Sequence, residues 1–261
     1  MRMLLPEPRD ELTDADLDAV YAWPQSGTWL RANMVSTVDG AARSPQGLSH
    51  GISSDADRRL FGRLRGLADV ILAGASTVRE EGYSVAKAKP DFAGRRAAAG
   101  QSEVPPVAVV SRSLSLDLSG PLFSGGAQRT IVLTCEAADP AALARAQSVA
   151  DVLVCGRDDV DLAAAVAALR ARGLGRIHCE GGPHLLAGLA AAGVLDELLL
   201  TLSPLLAGGN YDERNAIMRI LAGPGLTDPP VPLQLRHVIE DAGTLFLSYA
   251  GASRADAPLE H

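Results

Sequence analysis

Three short segments carry residue types suited to holding a phosphate or an oxidised carbon. The first is Ile177-His178-Cys179-Glu180-Gly181-Gly182-Pro183. An apolar run ends in two glycines, and Pro183 fits the first position of a helix. Leu185, Leu186 and Leu189 follow at a spacing that buries that helix. Backbone amides converge at such a junction, so Gly181 and Gly182 are either a pyrophosphate cradle or an ordinary strand-to-helix turn. The second segment, Ala73-Gly74-Ala75-Ser76-Thr77, repeats the pattern with a Thr77 hydroxyl near a helix start. The third is Ser111-Arg112 after the run Val107 to Val110. A guanidinium beside a hydroxyl at a strand's carboxyl end suits a ribose 2′-phosphate, or it is simply a solvated arginine. No GxGxxG follows any strand, so a dinucleotide would be held by a different design from the Rossmann turn.

Two carboxylates stand out. Asp57 precedes Leu60, Phe61 and Leu64 by three, four and seven residues. On a helix that places it on the apolar stripe, where it needs a partner. It either completes a cap begun by Ser54 or lines a pocket and accepts hydrogen bonds from an amino-pyrimidine or pterin edge. Asp39 closes Ser36-Thr37-Val38-Asp39-Gly40, and Asp-Gly is a common turn pair. The histidines show no metal-ligand spacing, so no metal site is expected.

The elements that must position these residues alternate. Strands are expected at Trp29 to Ser36, Asp69 to Ala73, Val107 to Val110, Thr130 to Thr134, Val152 to Cys155, Arg176 to Glu180 and Glu197 to Ser203. Helices are expected at about Asp14 to Tyr21, Asp55 to Ala68, Pro140 to Val149, Leu162 to Ala171 and Pro183 to Ala192, with a turn or two over 75–82. Residues 84–106 read as a long surface excursion. Two last runs, Leu233 to Ile239 and Thr244 to Tyr249, flank a hairpin signal. The expectation is one α/β domain over 29–250: a mostly parallel central sheet, helices on both faces and a C-terminal antiparallel hairpin. Residues 1–28 read as an N-terminal extension, and 251–261 as a tail ending in a tag remnant, Leu259-Glu260-His261.

Bulk properties narrow the partners. The chain has 261 residues, is 47% hydrophobic and 21% charged, and carries a formal charge of −7. That balance favours a folded domain and gives no general attraction to nucleic acid or an anionic membrane. Cys135, Cys155 and Cys179 form no CxxC pair and argue against a disulfide framework or a zinc site. No charged leader precedes an apolar segment. The apolar stretch from Leu185 to Leu206 is interrupted by Asp196 and Glu197, so a cytoplasmic location is expected.

In order along the chain, several motifs resemble one family. They are Arg31-Ala32-Asn33-Met34-Val35-Ser36-Thr37-Val38-Asp39-Gly40, Ile52-Ser53-Ser54, Ala68-Asp69-Val70-Ile71-Leu72-Ala73-Gly74-Ala75-Ser76-Thr77-Val78-Arg79, Glu180-Gly181-Gly182-Pro183, and Pro204-Leu205-Leu206-Ala207-Gly208-Gly209. The set is similar to the reductase half of the bifunctional riboflavin-biosynthesis deaminase–reductase and its stand-alone relatives. That resemblance implies a dihydrofolate-reductase-like fold, a homodimer and hydride transfer from NADPH to a substrate carbon. The family's usual substrate is 5-amino-6-(5-phosphoribosylamino)uracil; the alternatives are dihydrofolate or another pterin, or a dimeric nucleotide-binding protein without turnover. By position, the resemblance assigns Gly74, Thr77, Ser111, Arg112, Glu180, Gly181, Gly182 and Leu185 to the cofactor. It assigns Asn33, Ser36, Asp39 and Asp57 to the substrate, with Asp39 and Asp57 as the catalytic candidates. The chain departs from the family in two ways. No H-x-E or P-C-x-x-C of a zinc deaminase occurs. After Thr77-Val78-Arg79 the family's proline and basic position are replaced by Glu80-Glu81-Gly82-Tyr83-Ser84.

Overall fold

A computed structural model describes residues 1–24, 28–208, 218–223, 226 and 230–251. Of the tail expected over 251–261, Gly251 belongs to the last strand, and residues 252–261, with the Leu259-Glu260-His261 end, lie outside the described residues, as does Gly209. Among the described residues, ten strands form one sheet in the order β1-β9-β10-β8-β2-β7-β3-β4-β5-β6. Strands β2 (Trp29–Thr37), β3 (Val70–Gly74), β4 (Val107–Val110), β5 (Ile131–Thr134), β6 (Asp151–Val154), β7 (Arg176–Cys179) and β8 (Glu197–Ser203) run parallel. Strands β9 (Leu233–Asp241) and β10 (Thr244–Gly251) form the expected hairpin, and β10 pairs antiparallel with β8. Ala242 and Gly243 both adopt positive φ, the pair of left-handed residues a two-residue hairpin turn needs.

Helices cover both faces because each presents an apolar stripe to the sheet. Helices α6 (Leu162–Ala171) and α7 (Pro183–Ala191) pack on Leu30, Ala32, Leu72, Ile177 and Leu198. Helices α1 (Asp14–Val20) and α2 (Asp55–Leu67) pack on the opposite face with Leu199, Ile239 and Phe246. Helix α5 (Pro140–Val149) sets Ala142 and Ala146 beside Val132. A short helix, α3 (Ala75–Glu80), follows β3 directly.

Two stretches differ from the sequence expectation. The extension before residue 29 is part of the fold: β1 (Arg2–Leu5) pairs antiparallel with β9, and Leu17 and Tyr21 are buried. A buried ion pair holds it in place. Arg31 Nε lies 2.6 Å from Glu197, NH1 donates to the Tyr21 carbonyl at 2.9 Å, and the guanidinium stacks 4.3 Å over Trp23. Trp29 Nε1 and Ser248 Oγ donate to the same Glu197 at 3.0 and 2.7 Å, so the carboxylate is well satisfied. Burial pushes Glu197 up, but Arg31 and these donors outweigh it and hold the group below its ordinary value.

The second correction concerns 84–106. This stretch was expected to be a surface excursion, yet it contains helix α4 (Pro90–Ala98). Pro90 starts the helix, and Phe92 anchors it so tightly on α2 that a Cβ at Gly66 would come within 2.7 Å of the ring. Arg96 is buried and donates to the Gly66, Ala68 and Ser102 carbonyls, satisfying groups that the end of α2 leaves open. Two anchoring residues in a small, charged segment are too sparse to show as periodicity.

Two histidines are buried on the α2 face. His178 on β7 lies near Glu180, Arg65, Arg31 and Glu197, and neither ring nitrogen is hydrogen-bonded among the described residues. His237 on β9 meets the Tyr21 ring edge-on at 4.9 Å. Burial lowers both from 6.5 to about 4. They stay neutral in the fold and take a proton in the unfolded chain, so stability is full above pH 6.5 and declines as pH falls toward 4. The expected loss between about pH 7 and pH 5 is roughly 2 kcal/mol per histidine. Urea unfolding at the two pH values measures it, and equal stabilities would refute it.

Candidate active site

The parallel strands all end on one edge, and the expected residues meet there. β7, β3 and β4 are neighbours, so Gly181-Gly182, Gly74 and Ser111-Arg112 emerge side by side. The first two turns are joined: Gly74 N donates to Gly181 O at 2.8 Å. Gly181 has φ +77°, and a Cβ there would lie 2.8 Å from Met34 Sδ. A Cβ on Gly182 would lie 2.6 Å from Thr77 Oγ1. The positive φ of Gly181 therefore favours glycine, a Cβ on Gly182 would have to displace Thr77, and Thr77 and Met34 lie against bare backbone. Gly182 caps α7 without a side chain, and Pro183 takes the first helical position. The early α7 amides are thus left for solvent or a ligand. Leu185 is buried behind this turn, and a Cβ on Gly74 would lie 3.8 Å from its Cβ. Ser111 is buried at the end of β4, while Arg112 is exposed and makes no ion pair or hydrogen bond with any described residue.

Glu180 faces the other way. Its buried carboxylate takes two hydrogen bonds from Arg65 of α2, at 2.6 and 2.7 Å, and a third from the Tyr83 hydroxyl. His178 Nε2 lies 3.6 Å away. Glu180, grouped with the cofactor residues as the one that shapes the turn, fixes through its carboxylate the strand from which the Gly181 turn departs. Burial, then the Glu180 charge, pushes the Tyr83 hydroxyl well above its ordinary value, so it remains a donor. Arg65 also stacks over Phe61 at 4.6 Å and Tyr83 at 5.2 Å. Tyr83, the residue that departs from the family pattern, thus completes this anchor.

The remaining candidates separate by face. In β2, Asn33 aligns with Leu199, and Ser36 with Leu202. Strand alternation puts Asn33 on the α2 face and Ser36 on the opposite one, so the two do not share a surface. Ser36 Oγ donates to the Thr37 carbonyl at 3.0 Å. Asp57 also lies on the α2 face. It is 7% exposed, and it accepts from Thr201 Oγ1 of β8 at 2.6 Å and from the Ser53 hydroxyl. Its amide donates to the Ser54 cap at 3.1 Å, but its carboxylate points to the sheet and does not close a capping box. Asp39 is exposed and engaged: Thr37 Oγ1 and the amides of Gly208 (2.7 Å) and Ala207 donate to it. These bonds lower it to about 2. Asp39, a catalytic candidate by the resemblance, ties the end of β2 to the loop after β8. Thr201, Arg65 and Met34 escaped the sequence because their partners are distant in the chain.

Fold and site together define an α/β protein whose glycine turns gather at the carboxyl edge of a parallel sheet. The particular family is shown by comparison: the chain belongs to the RibD C-terminal domain family, matched over residues 28–221. It is 27% identical over 181 residues to the 2,5-diamino-6-ribosylamino-4(3H)-pyrimidinone 5′-phosphate reductase of Archaeoglobus fulgidus, covering 69% of this chain and 82% of that one. The enzyme of the same name from Methanothermobacter thermautotrophicus is 29% identical over 177 residues, covering 68% and 78%. Among solved structures, a pyrimidine reductase-like protein from Corynebacterium diphtheriae is similar at a TM-score of 0.79 and 26% identity, covering 92% of this chain and 99% of that one. RibD from Acinetobacter baumannii shares the fold at a TM-score of 0.67 and 16% identity; the match covers 87% of this chain and 58% of RibD.

Breaking the anchor under the Gly181 turn tests its weight. Arg65→Met leaves the buried Glu180 carboxylate without its guanidinium and is expected to cost about 3 kcal/mol. Tyr83→Phe removes one hydrogen bond to a charged group and should cost about 1.5–3 kcal/mol. Urea denaturation reads both; a loss below about 1 kcal/mol for Arg65→Met would show that the pair is not the anchor.

Proposed function

We propose that this chain is an oxidoreductase that transfers a hydride from NADPH to a ribosylamino-pyrimidine phosphate. The observation that supports this most directly is the joining of the Gly74 and Gly181-Gly182 turns beside the unpaired Arg112. Gly74, Thr77, Gly181, Gly182 and Leu185 would hold the dinucleotide, with the bare backbone admitting its pyrophosphate. Ser111 and Arg112 would take the 2′-phosphate, which distinguishes NADPH from NADH. The bound nicotinamide supplies the hydride, and the protein orients the two reactants and excludes water.

The substrate reading rests on Asp57 and on the two archaeal relatives named above. The compound in their names carries an amino group at the ring carbon where 5-amino-6-(5-phosphoribosylamino)uracil carries a carbonyl oxygen. A carboxylate oriented by Thr201 and Ser53 is an acceptor suited to such an amine. We therefore favour the diamino-pyrimidinone over the uracil. Asn33, on the same face, is the neighbouring polar group of β2. A pterin also presents an amino edge, so Asp57 equally supports a dihydrofolate-type substrate.

Absorbance of NADPH, followed with each of the three compounds, separates these readings. Oxidation by the diamino-pyrimidinone phosphate is expected. Oxidation by dihydrofolate alone would replace the substrate class, and NADPH binding without oxidation by any would leave a nucleotide-binding protein. Arg112→Ala should raise the Kd for NADPH at least tenfold with little change for NADH; equal effects would remove the 2′-phosphate assignment. Asp57→Asn should lower kcat with NADPH affinity nearly unchanged, and unaltered turnover would confine Asp57 to a structural role.

A further inference from the structure

The opposite edge of the sheet carries a second feature. A cleft of about 700 Å³ opens at the amino ends of β3, β5, β6 and β7, and its lining includes Arg129, Arg170, Arg172, Arg176, Gln101 and Gln128. That volume suits a ligand of nucleotide size. Along β7, Arg176 lies ~16 Å from the Gly181 turn at ~3.3 Å per residue, so the two edges do not share a ligand.

Four guanidinium groups line the cleft against two carboxylates, in a chain whose formal charge is −7. The carboxylates are occupied. Asp69 accepts from Gln101 Nε2 at 2.7 Å and from the Arg176 amide at 2.8 Å. Asp151 is shared by Arg129 at 3.1 Å and Arg172 at 3.4 Å. Arg170 reaches Asp196 only at 3.7 Å, and its buried Nε has no hydrogen-bond partner among the described residues. The Arg176 side chain makes no ion pair or hydrogen bond with a described residue. Arg170 and Arg172 close the last turn of α6, where positive charge complements the helix dipole. Arg129 and Arg176 come from the strand side and have no such role. Guanidinium groups lining one cleft, with donors to spare on Arg176 and Arg170 and amide side chains beside them, match the oxygens of a phosphate.

We propose that this cleft is a second binding site, for a small phosphate-bearing anion, centred on Arg176 and Arg170. It is separate from the glycine turns and does not depend on what they bind.

The test is calorimetric titration of inorganic pyrophosphate into the full chain, with and without saturating NADPH. One saturable site that persists with NADPH is expected. Arg176→Ala and, as an exposed substitution that leaves packing intact, Arg172→Ala should each raise its Kd at least tenfold, with the probe-free Tm unchanged. Absence of saturable binding, displacement by NADPH, or unchanged affinity in both variants would overturn the proposal.

Discussion

The site depends on one steric constraint: where β7 gives way to α7, the chain has no room for a side chain. Met34 of β2 and Thr77 of α3 press on Gly181 and Gly182 from the neighbouring strand ends. The hydrogen bond from Gly74 to Gly181 then locks the β3 turn to the β7 turn. Close approach leaves bare amides at a helix start, which is the property a Rossmann loop obtains with three glycines in one segment. Here glycines from two separate strands supply it, so no single-segment fingerprint appears.

Such a turn needs support from beneath. Glu180, one residue before it, is clamped by Arg65 and Tyr83 on the α2 face. A buried carboxylate with three hydrogen bonds has a strongly preferred position, because any shift strands charge in a dry environment. On the other side of β2, the Arg31–Glu197 pair does the same for the join between the parallel and antiparallel halves. Both ion pairs join different elements, Arg65 of α2 to the end of β7 and Arg31 of β2 to Glu197 of β8. Their value lies in fixing register more than in net stability, since buried pairs offset their own desolvation.

The alternating strands and helices were legible because each carries its own period, and the observed bounds differ from the expected ones by a residue or two. Gly74, Thr77, Gly181 and Gly182 were legible because glycine and proline punctuate locally. What the sequence did not reveal was long-range. Asp57 showed as a carboxylate on an apolar stripe, but nothing local pointed to Thr201, its partner on β8. Asn33 and Ser36 were grouped by motif, yet an odd separation in a strand sends them to opposite faces. Glu180 was grouped with its glycines for the same reason, and alternation turned it away from them. Helix α4 was hidden because Phe92 and Arg96, two residues alone, carry its packing.

Charge explains why arginines matter more than their number suggests. A chain of net charge −7 repels phosphates at long range, so any phosphate-bearing ligand must be captured by short-range groups. An arginine buried against a carboxylate has little left to offer, as Arg63 has with Asp18, Arg65 with Glu180 and Arg31 with Glu197. Arg112 and Arg176 lack such partners among the described residues, and they stand at opposite ends of the parallel strands. A structural arginine is recognised by its partner; one held at a strand end without a partner has its bonding capacity directed outward. By that argument the two proposed anion sites stand one at each edge of the same sheet.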